Sequence, residues 1–322
     1  MKVAVTGGSG VVGTALVRQL VAEDDQVVAL ARSPRSAAAV EAMGATALGG
    51  DIMDPGSLKD AFSGCEVIYH VAGINEMCSL DPDRMHRVNV DGTRNVVRAC
   101  QAAGVRRMVL TSSAAAIGEE KGEVATESTP HRGHYLSEYE KSKHHSERLA
   151  FAEAGELEVV AVNPSSVQGP GRATGTGKII LQVLTGKLPL LIESQVSMID
   201  IDDCARGHLL AARHGTPGER YLLSGFTTSV SGAVAMAGEV LGREVNVRML
   251  PLPVAWAGAA VIGAVGRVRG KRPRFCPEMI RVVSHGHLHD GSRATRELGL
   301  TYTPARETIT RMVDWFRSEG LL

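Results

Sequence analysis

The chain is poor in aromatic residues, which make up 4% of its 322 positions, and it carries no net formal charge, with 35 Lys+Arg against 35 Asp+Glu. A balanced charge excludes the basic footprint expected of a nucleic-acid binder and gives no reason to expect an acidic partner. Cysteine is sparse and scattered: Cys65, Cys78, Cys100, Cys204 and Cys276 include no Cys-x-x-Cys pair. That pattern excludes a dense disulfide framework and reads as reduced thiols, hence a cytoplasmic protein. No hydrophobic run reaches membrane-spanning length. The most apolar, Val254 to Val265, is too short and reads as a buried or interface helix. A secretory signal is not expected, because Lys2 leads straight into a strand and a glycine turn. Repeats and low-complexity linkers are missing too. The apolar fraction, 44%, is that of an ordinary globular protein, and the length fits one large domain or two smaller ones.

What is present is organised around the first thirteen residues. Lys2 to Thr6 is a short buried strand. Gly7, Gly10 and Gly13 follow at three-residue spacing, and an apolar helix continues through Thr14 to Val21. Glycines let the backbone turn sharply and approach a ligand, while a helix N-terminus offers unpaired N–H groups and positive potential. Strand, glycine turn and helix together predict a pyrophosphate cradle, with Val11, Val12 and Gly13 at the helix start.

A second buried strand, Gln26 to Ala31, ends at Arg32, with Ser33, Pro34 and Arg35 beyond. An acidic residue at that position binds the ribose hydroxyls of NAD(H); a guanidinium suits a 2′-phosphate. Arg32 and Arg35 therefore predict NADP(H) in preference to NAD(H). Ala45 to Leu48 is a third strand, leading to Asp51 and Ile52. Asp51 reads either as an acceptor for adenine, with Ile52 on the ring, or as a turn or N-cap residue. Glu66 to Val71 is a fourth strand running into Ala72 and Gly73, small enough for a ribose to lie against the backbone. Alternating strands and helices predict a doubly wound parallel α/β sheet of the Rossmann kind.

A long helical stretch from Asp81 to Ala103 carries Asn89, and the strand Arg107 to Leu110 ends in Thr111, Ser112 and Ser113. Glu119 to Leu136 is polar and aperiodic and reads as a surface loop and a mobile flap over the site, with His131, His134 and Tyr135 on it. Ser137 caps a helix to about Ala154, and Glu158 to Val162 is a sixth strand with Pro164 and Ser166 in its exit loop. Beyond Gly171 the alternation loosens; Val196 to Ile201 reads as a strand, Asp202 as the cap of the helix Cys204 to Arg213, and Arg220 to Leu223 as another strand. The expected domains are 1–170, dinucleotide-binding, with about 196–225 returning to it, and 171–322, mainly a substrate lobe.

Ser113, Tyr139 and Lys143 carry the chemistry. Tyr and Lys four apart share one helix face. A neighbouring ammonium stabilises phenolate and so lowers the tyrosine pKa. Tyr139 can then exchange a proton with a substrate oxygen, Ser113 can hydrogen-bond that oxygen, and Lys143 can also hold the nicotinamide ribose. His285, His287 and His289 alternate and share one face of an extended segment. Three histidines suit zinc, but a polar strand or loop is the expected role, with no metal.

The chain resembles the extended short-chain dehydrogenase/reductase family, also called the NAD-dependent epimerase/dehydratase family. The likeness covers nearly its whole length and is closest to the dihydroflavonol-reductase-like and hopanoid-associated epimerase-like branch. It rests on Thr6-Gly7-Gly8-Ser9-Gly10-Val11-Val12-Gly13, Gly50-Asp51-Ile52-Met53-Asp54, His70-Val71-Ala72-Gly73, Asn89-Val90-Asp91-Gly92-Thr93, Thr111-Ser112-Ser113, Tyr139-x-x-x-Lys143, Asn163-Pro164-Ser165 and Asp200-Ile201-Asp202-Asp203. The resemblance implies Ser113, Tyr139 and Lys143 as the catalytic triad, with Asn89 positioning the lysine region. It implies cofactor contacts from Gly7, Gly10, Arg32, Asp51, Ile52, Val71, Ala72, Gly73 and Pro164, and the site is completed by Thr111, Ser112 and Ser166. Sugar-nucleotide dehydratases carry Asp-Glu after the active-site Ser/Thr; here Ala114 and Ala115 stand there, and alanine does no acid–base work. Sugar epimerases usually place an aromatic residue before the next glycine, where this chain has Ile117 before Gly118. The expected activity is NADPH-dependent reduction of a ketone or aldehyde, or the reverse, on a small-molecule substrate, by a homodimer. A redox-neutral NAD-dependent sugar-nucleotide epimerase and a non-catalytic NADP-binding regulator are the alternatives.

Overall fold

The computed structural model describes residues 1–322. Its strands are β1 Lys2–Thr6, β2 Gln26–Ala31, β3 Thr46–Gly49, β4 Val67–His70, β5 Arg107–Thr111, β6 Val124–Ala125, β7 Glu158–Pro164, β8 Ser166–Gln168, β9 Leu190–Leu191, β10 Gln195–Asp200, β11 Arg220–Leu223, β12 Phe226–Ser229, β13 Arg248–Met249 and β14 Leu288–His289. The helices are α1 Val11–Ala22, α2 Pro34–Glu41, α3 Pro55–Phe62, α4 Pro82–His86, α5 Gly92–Ala102, α6 Glu138–Ala152, α7 Gly175–Leu184, α8 Ile201–His214, α9 Val230–Leu241, α10 Leu252–Val268, α11 Pro277–His285 and α12 Ala305–Ser318.

Seven strands form one parallel sheet in the order β11-β7-β5-β4-β1-β2-β3. The strands are apolar at successive positions because both faces are covered. Val3 and Val5 pack with Leu16, Val17 and Leu20 of α1 and with Leu209 of α8. Ala4, between them, points to the opposite core, with Leu58 and Phe62 of α3 and Val96 and Val97 of α5. The chain therefore has the doubly wound α/β fold. Strand order reverses between β1 and β4, which opens a crevice at their C-terminal ends.

The second half adds a separate small sheet and a helical cluster of its own. β12, β10 and β8 make a separate three-stranded sheet, so β10 lies outside the large sheet while β11 forms its edge. Leu184 of α7, Ala237 of α9 and Ile309, Met312, Val313 and Phe316 of α12 make the lobe's own core.

Three expectations need correction. Cys78 and Cys276 are joined in a disulfide, leaving Cys65, Cys100 and Cys204 as buried free thiols. The two are 198 residues apart and meet only because α11 docks against the loop after β4, so no local spacing announced the pair. The cysteine argument for a reducing compartment loses its force; it remains that no helix is long and apolar enough to cross a membrane. Residues 119–136 are not a free flap. β6 pairs in parallel with β14, Arg220 donates to the Glu127 carbonyl, and Arg132 is buried against Glu140. Polar residues hold this loop to β11 and α6, which is why periodicity missed it. The cap of α8 is Asp200, whose carboxylate accepts from Asp202 N–H, two positions earlier in role than expected. α10, expected as a buried or interface helix, packs Ala255 and Ala259 inward and leaves Val254, Val261, Ile262, Val265 and Val268 exposed.

Candidate active site

The glycine turn is shaped by close backbone approach. Gly7 adopts φ +74°, and a Cβ on it would meet Ala72 N at 2.7 Å. A Cβ on Gly13 would lie 2.1 Å from the Gly7 carbonyl oxygen. α1 starts with Gly10 as an N-cap that has no side chain to offer, so the Val11 and Val12 amides find no acceptor within the chain. The turn thus presents free N–H groups at the positive end of a helix, at the mouth of the crevice.

Beneath the turn lies a buried polar line. Thr6 Oγ1 is 2.7 Å from His70 Nδ1 and accepts from Ala72 N–H at 3.2 Å. His70 Nε2 is 3.0 Å from Thr93 Oγ1, which is 2.9 Å from Ser146 Oγ on α6. Burial pushes His70 down to about 3, so the ring is neutral and works as a spacer. This histidine fixes β4 to α6 and sets the height of Val71, Ala72 and Gly73.

The stretch from α4 to α5 is helical throughout, with one π-helical turn at Arg87–Asp91. Such turns re-aim a side chain. Here the side chain is Asn89: Oδ1 accepts from Ile74 N–H at 2.7 Å, and Nδ2 donates to Ile74 O and to Ser142 Oγ, each at 2.9 Å. Asn89 therefore ties the loop after β4 to α6, one residue from Lys143. A Cβ on Gly73 would lie 3.1 Å from Asn89 Oδ1 and 3.7 Å from Lys143 Nζ, which brings Gly73, Asn89 and Lys143 into one cluster.

Ser137 caps α6 by accepting from Glu140 N–H, and the helix presents Tyr139 and Lys143 one turn apart. Lys143 Nζ is buried and donates to the Thr111 carbonyl at 2.7 Å. Thr111 Oγ1 in turn is 2.8 Å from His208 Nε2, whose Nδ1 is 2.7 Å from Cys204 O; the Nδ1–H therefore donates and Nε2 accepts. Burial lowers Lys143 to about 8 against a small opposing pull from Glu147. Ser113 lies two residues past β5, its carbonyl held by Asn163 Nδ2 at 3.0 Å. For Tyr139, burial raises the phenol above its ordinary value, and hydrogen bonding with Ser113 and the charge of Arg172 pull it back. The net direction is opposite to the expected lowering. Desolvation wins, and the lysine ammonium is directed to a carbonyl.

Arg172 is the residue that the sequence did not single out. It follows the exit loop of β7, donates to Thr176 Oγ1 at 3.2 Å, and leaves Nε buried and unpaired beside Tyr139. Its only sequence signal was a cation just past Gly169-Pro170-Gly171, which pattern reading assigns to a loop.

The remaining predicted positions sit around this centre. Arg32 is largely exposed at the end of β2, 4.0 Å from Asp51 Oδ2. Arg35 is exposed in the first turn of α2, behind the Ser33–Ser36 capping box. Asp51 Oδ1 accepts from Met53 N–H, so this residue makes a turn, while Asp54 caps α3; Ile52 is buried. Ser112 is buried with its hydroxyl unpartnered. Pro164 ends β7, and Ser166 Oγ is engaged by Gln168 and Thr176 rather than left free.

Residues 3–224 match the NAD dependent epimerase/dehydratase family. The chain belongs to that family. Within it, a Synechocystis protein provisionally named dihydroflavonol 4-reductase is 34% identical over 329 residues, covering 98% of this chain and 94% of its own. The crystal structure of gox2253 superposes with a TM-score of 0.87 at 30% identity over 99% of both chains. MoeE5, solved with UDP-glucuronic acid and NAD, superposes with a TM-score of 0.79 at 25% identity, covering 99% of this chain and 100% of its own. The family is NAD(P)-binding and comprises extended short-chain dehydrogenase/reductase enzymes, so this chain is an enzyme of that kind. The glycine turn fits such a dinucleotide: a Cβ would fill it, and its amides are free.

Proposed function

We propose that this family member is an NADPH-dependent reductase of ketones or aldehydes, with Ser113, Tyr139 and Lys143 as its catalytic residues. The observation that carries the reading is Arg32: a guanidinium, 67% exposed, stands where an NAD-preferring sheet would end in a carboxylate, and Arg35 lies one turn away. The Synechocystis relative, provisionally named a reductase, supports the same direction. Dinucleotide contacts fall to Gly7, Gly10, Val11, Val12 and Gly13 for the pyrophosphate, and to Val71, Ala72, Gly73 and Lys143 for the sugar nearest the chemistry.

When bound, NADPH supplies a hydride to the carbonyl carbon. Tyr139 donates its phenolic proton to the carbonyl oxygen, and Ser113 Oγ–H holds that oxygen in place. The raised phenol pKa suits the reducing direction, because the proton is on the residue before reaction. Lys143 keeps a positive charge near the phenolate left behind. Ala114 and Ala115 leave no second acid–base pair, so dehydration is outside the site's chemistry.

Two measurements test this. Denaturing the purified protein and identifying released dinucleotide, then titrating the emptied protein with NADPH and NADH, should give little carried-over cofactor and tighter NADPH. Arg32→Asp should weaken NADPH by about 10- to 100-fold and leave NADH nearly unchanged, the loss of one charge-assisted phosphate contact plus new repulsion. Near-stoichiometric NAD carried through purification would overturn the assignment in favour of the epimerase reading, in which cofactor is regenerated within each cycle. In the pH profile, kcat/KM for reduction should fall as pH rises through about 8, where Lys143 loses its proton. Lys143→Arg should move that inflection upward. A profile flat through this range would remove Lys143 from the titrating groups.

A further inference from the structure

We propose that Glu119, His287 and His289, with His285 beside them, form a binding site for a divalent transition-metal ion of the zinc class, which staples the C-terminal segment to the loop after β5. α11 ends at His285, Gly286 turns the chain at φ +74°, and β14 runs alongside β6. This route brings three alternating imidazoles to one carboxylate of the facing loop. Glu119 Oε1 lies 2.7 Å from His287 Nδ1, 3.8 Å from His289 Nε2 and 3.9 Å from His285 Nε2.

The site is buried and short of partners. The side chains of Glu119, His289 and His285 are 1%, 4% and 8% exposed. Only the His287 hydrogen bond is made. Glu119 Oε2, His285 Nε2 and both ring nitrogens of His289 are buried without a partner. A buried polar atom left without a partner destabilises the fold. A metal ion takes up lone pairs on imidazole and carboxylate together.

The donor set selects the ion. Two imidazole nitrogens and one carboxylate oxygen suit zinc and its neighbours, whereas calcium and magnesium want more oxygens. Tetrahedral zinc with ligands at about 2.0–2.1 Å places ligand atoms roughly 3.3 Å apart, and the distances from Glu119 straddle that value. The nearest cation, Arg132, does not cancel Glu119: its guanidinium is paired with Glu140, and its Nη1 donates to the Glu119 carbonyl at 2.9 Å. The backbone behind the ligands is fixed, with His289 N–H donating to Ser197 Oγ at 2.9 Å and His287 N–H to Gln195 O at 3.0 Å. A polar cleft of about 310 Å³ lined by Ser224, Thr227, His289 and Asp290 gives an entry path. The ligand atoms of Glu119, His287 and His289 lie within 4.8 Å of one another, which leaves a fourth tetrahedral position for water, while His285 Nε2 stands beside them 3.9 Å from Glu119 Oε1. The other candidate grouping, Cys78, Cys276 and Glu278, is closed to metal because its sulfurs are bonded to each other.

The test uses the full chain, stripped with a chelator, desalted and loaded with Zn²⁺ or Co²⁺. Elemental analysis should find one equivalent per chain. Co²⁺ should give the visible absorption of a tetrahedral site, and zinc should raise the unfolding temperature. Glu119→Gln and His289→Gln should each abolish the Co²⁺ spectrum and weaken zinc by about 100-fold or more. Retained NADPH binding and circular dichroism show that each variant has folded; His287→Gln serves where one does not. Negligible metal in the wild-type chain at saturating zinc overturns the proposal, as does an unchanged Co²⁺ spectrum in the folded variants.

Discussion

Tyr139→Phe should lower kcat about 10²- to 10⁴-fold, the usual worth of a positioned general acid, with dinucleotide affinity within about 3-fold of wild type. The substitution removes one oxygen from a side chain whose ring is packed by α6, so the fold has little reason to respond. The lost group is the proton donor, and no neighbour replaces it. Ser113 is a poor acid, Lys143 is committed to the Thr111 carbonyl, and Arg172 does not give up a proton. Stopped-flow reduction with NADPH and a panel of carbonyl substrates reads the rate, and fluorescence titration reads the affinity. A variant with unchanged turnover would remove Tyr139 from the chemistry. A chain with no turnover in either form but normal dinucleotide binding would favour the regulatory reading.

The second large effect is expected at Gly13. In Gly13→Ala the new Cβ would stand 2.1 Å from the Gly7 oxygen, 2.8 Å from Gly7 C and 2.8 Å from Gly8 Cα. All three are backbone atoms, so no side-chain rotation relieves the contact. Either α1 moves off β1, which opens the packing of Leu16, Val17 and Leu20, or the turn is remodelled and its free amides scatter. Dinucleotide affinity should fall by more than about 100-fold, and stability by about 1–3 kcal/mol, the cost of an overpacked contact. Isothermal titration and thermal unfolding measure the two. Gly49→Ala is the control, since a Cβ there meets nothing within 4 Å. Normal NADPH binding by Gly13→Ala would show that the pyrophosphate is held elsewhere.

Local patterns in the chain announced the large sheet well. β1, β2 and β11 begin and end at the expected residues, because continuous apolar runs bounded by glycine or charge have one physical reading in a sheet covered on both faces. The helix carrying Asn89 was legible as a helix, but its π-helical turn was not; nothing local distinguishes an i+5 bond from an i+4 bond. The cap of α8 was misplaced because Asp200, Asp202 and Asp203 are chemically alike, and only the backbone direction at Asp200 selects among them.

Composition and spacing by themselves determined the parallel α/β architecture, the glycine turn at its first crossing, and the chain order that puts Ser113 before Tyr139 and Lys143. These depend on contacts between residues close in sequence, or on periodicities that any strand or helix must obey. Tertiary structure alone decided the rest. It joined Cys78 to Cys276 across 198 residues, anchored loop 119–136 through β14, brought Arg172 to Tyr139, and gathered three histidines around Glu119. Each of these is a meeting of segments with no shared local pattern. The electrostatic sign at Tyr139 belongs with them: desolvation depends on what the fold packs around a group, and it outweighed the opposing pulls of Ser113 and Arg172.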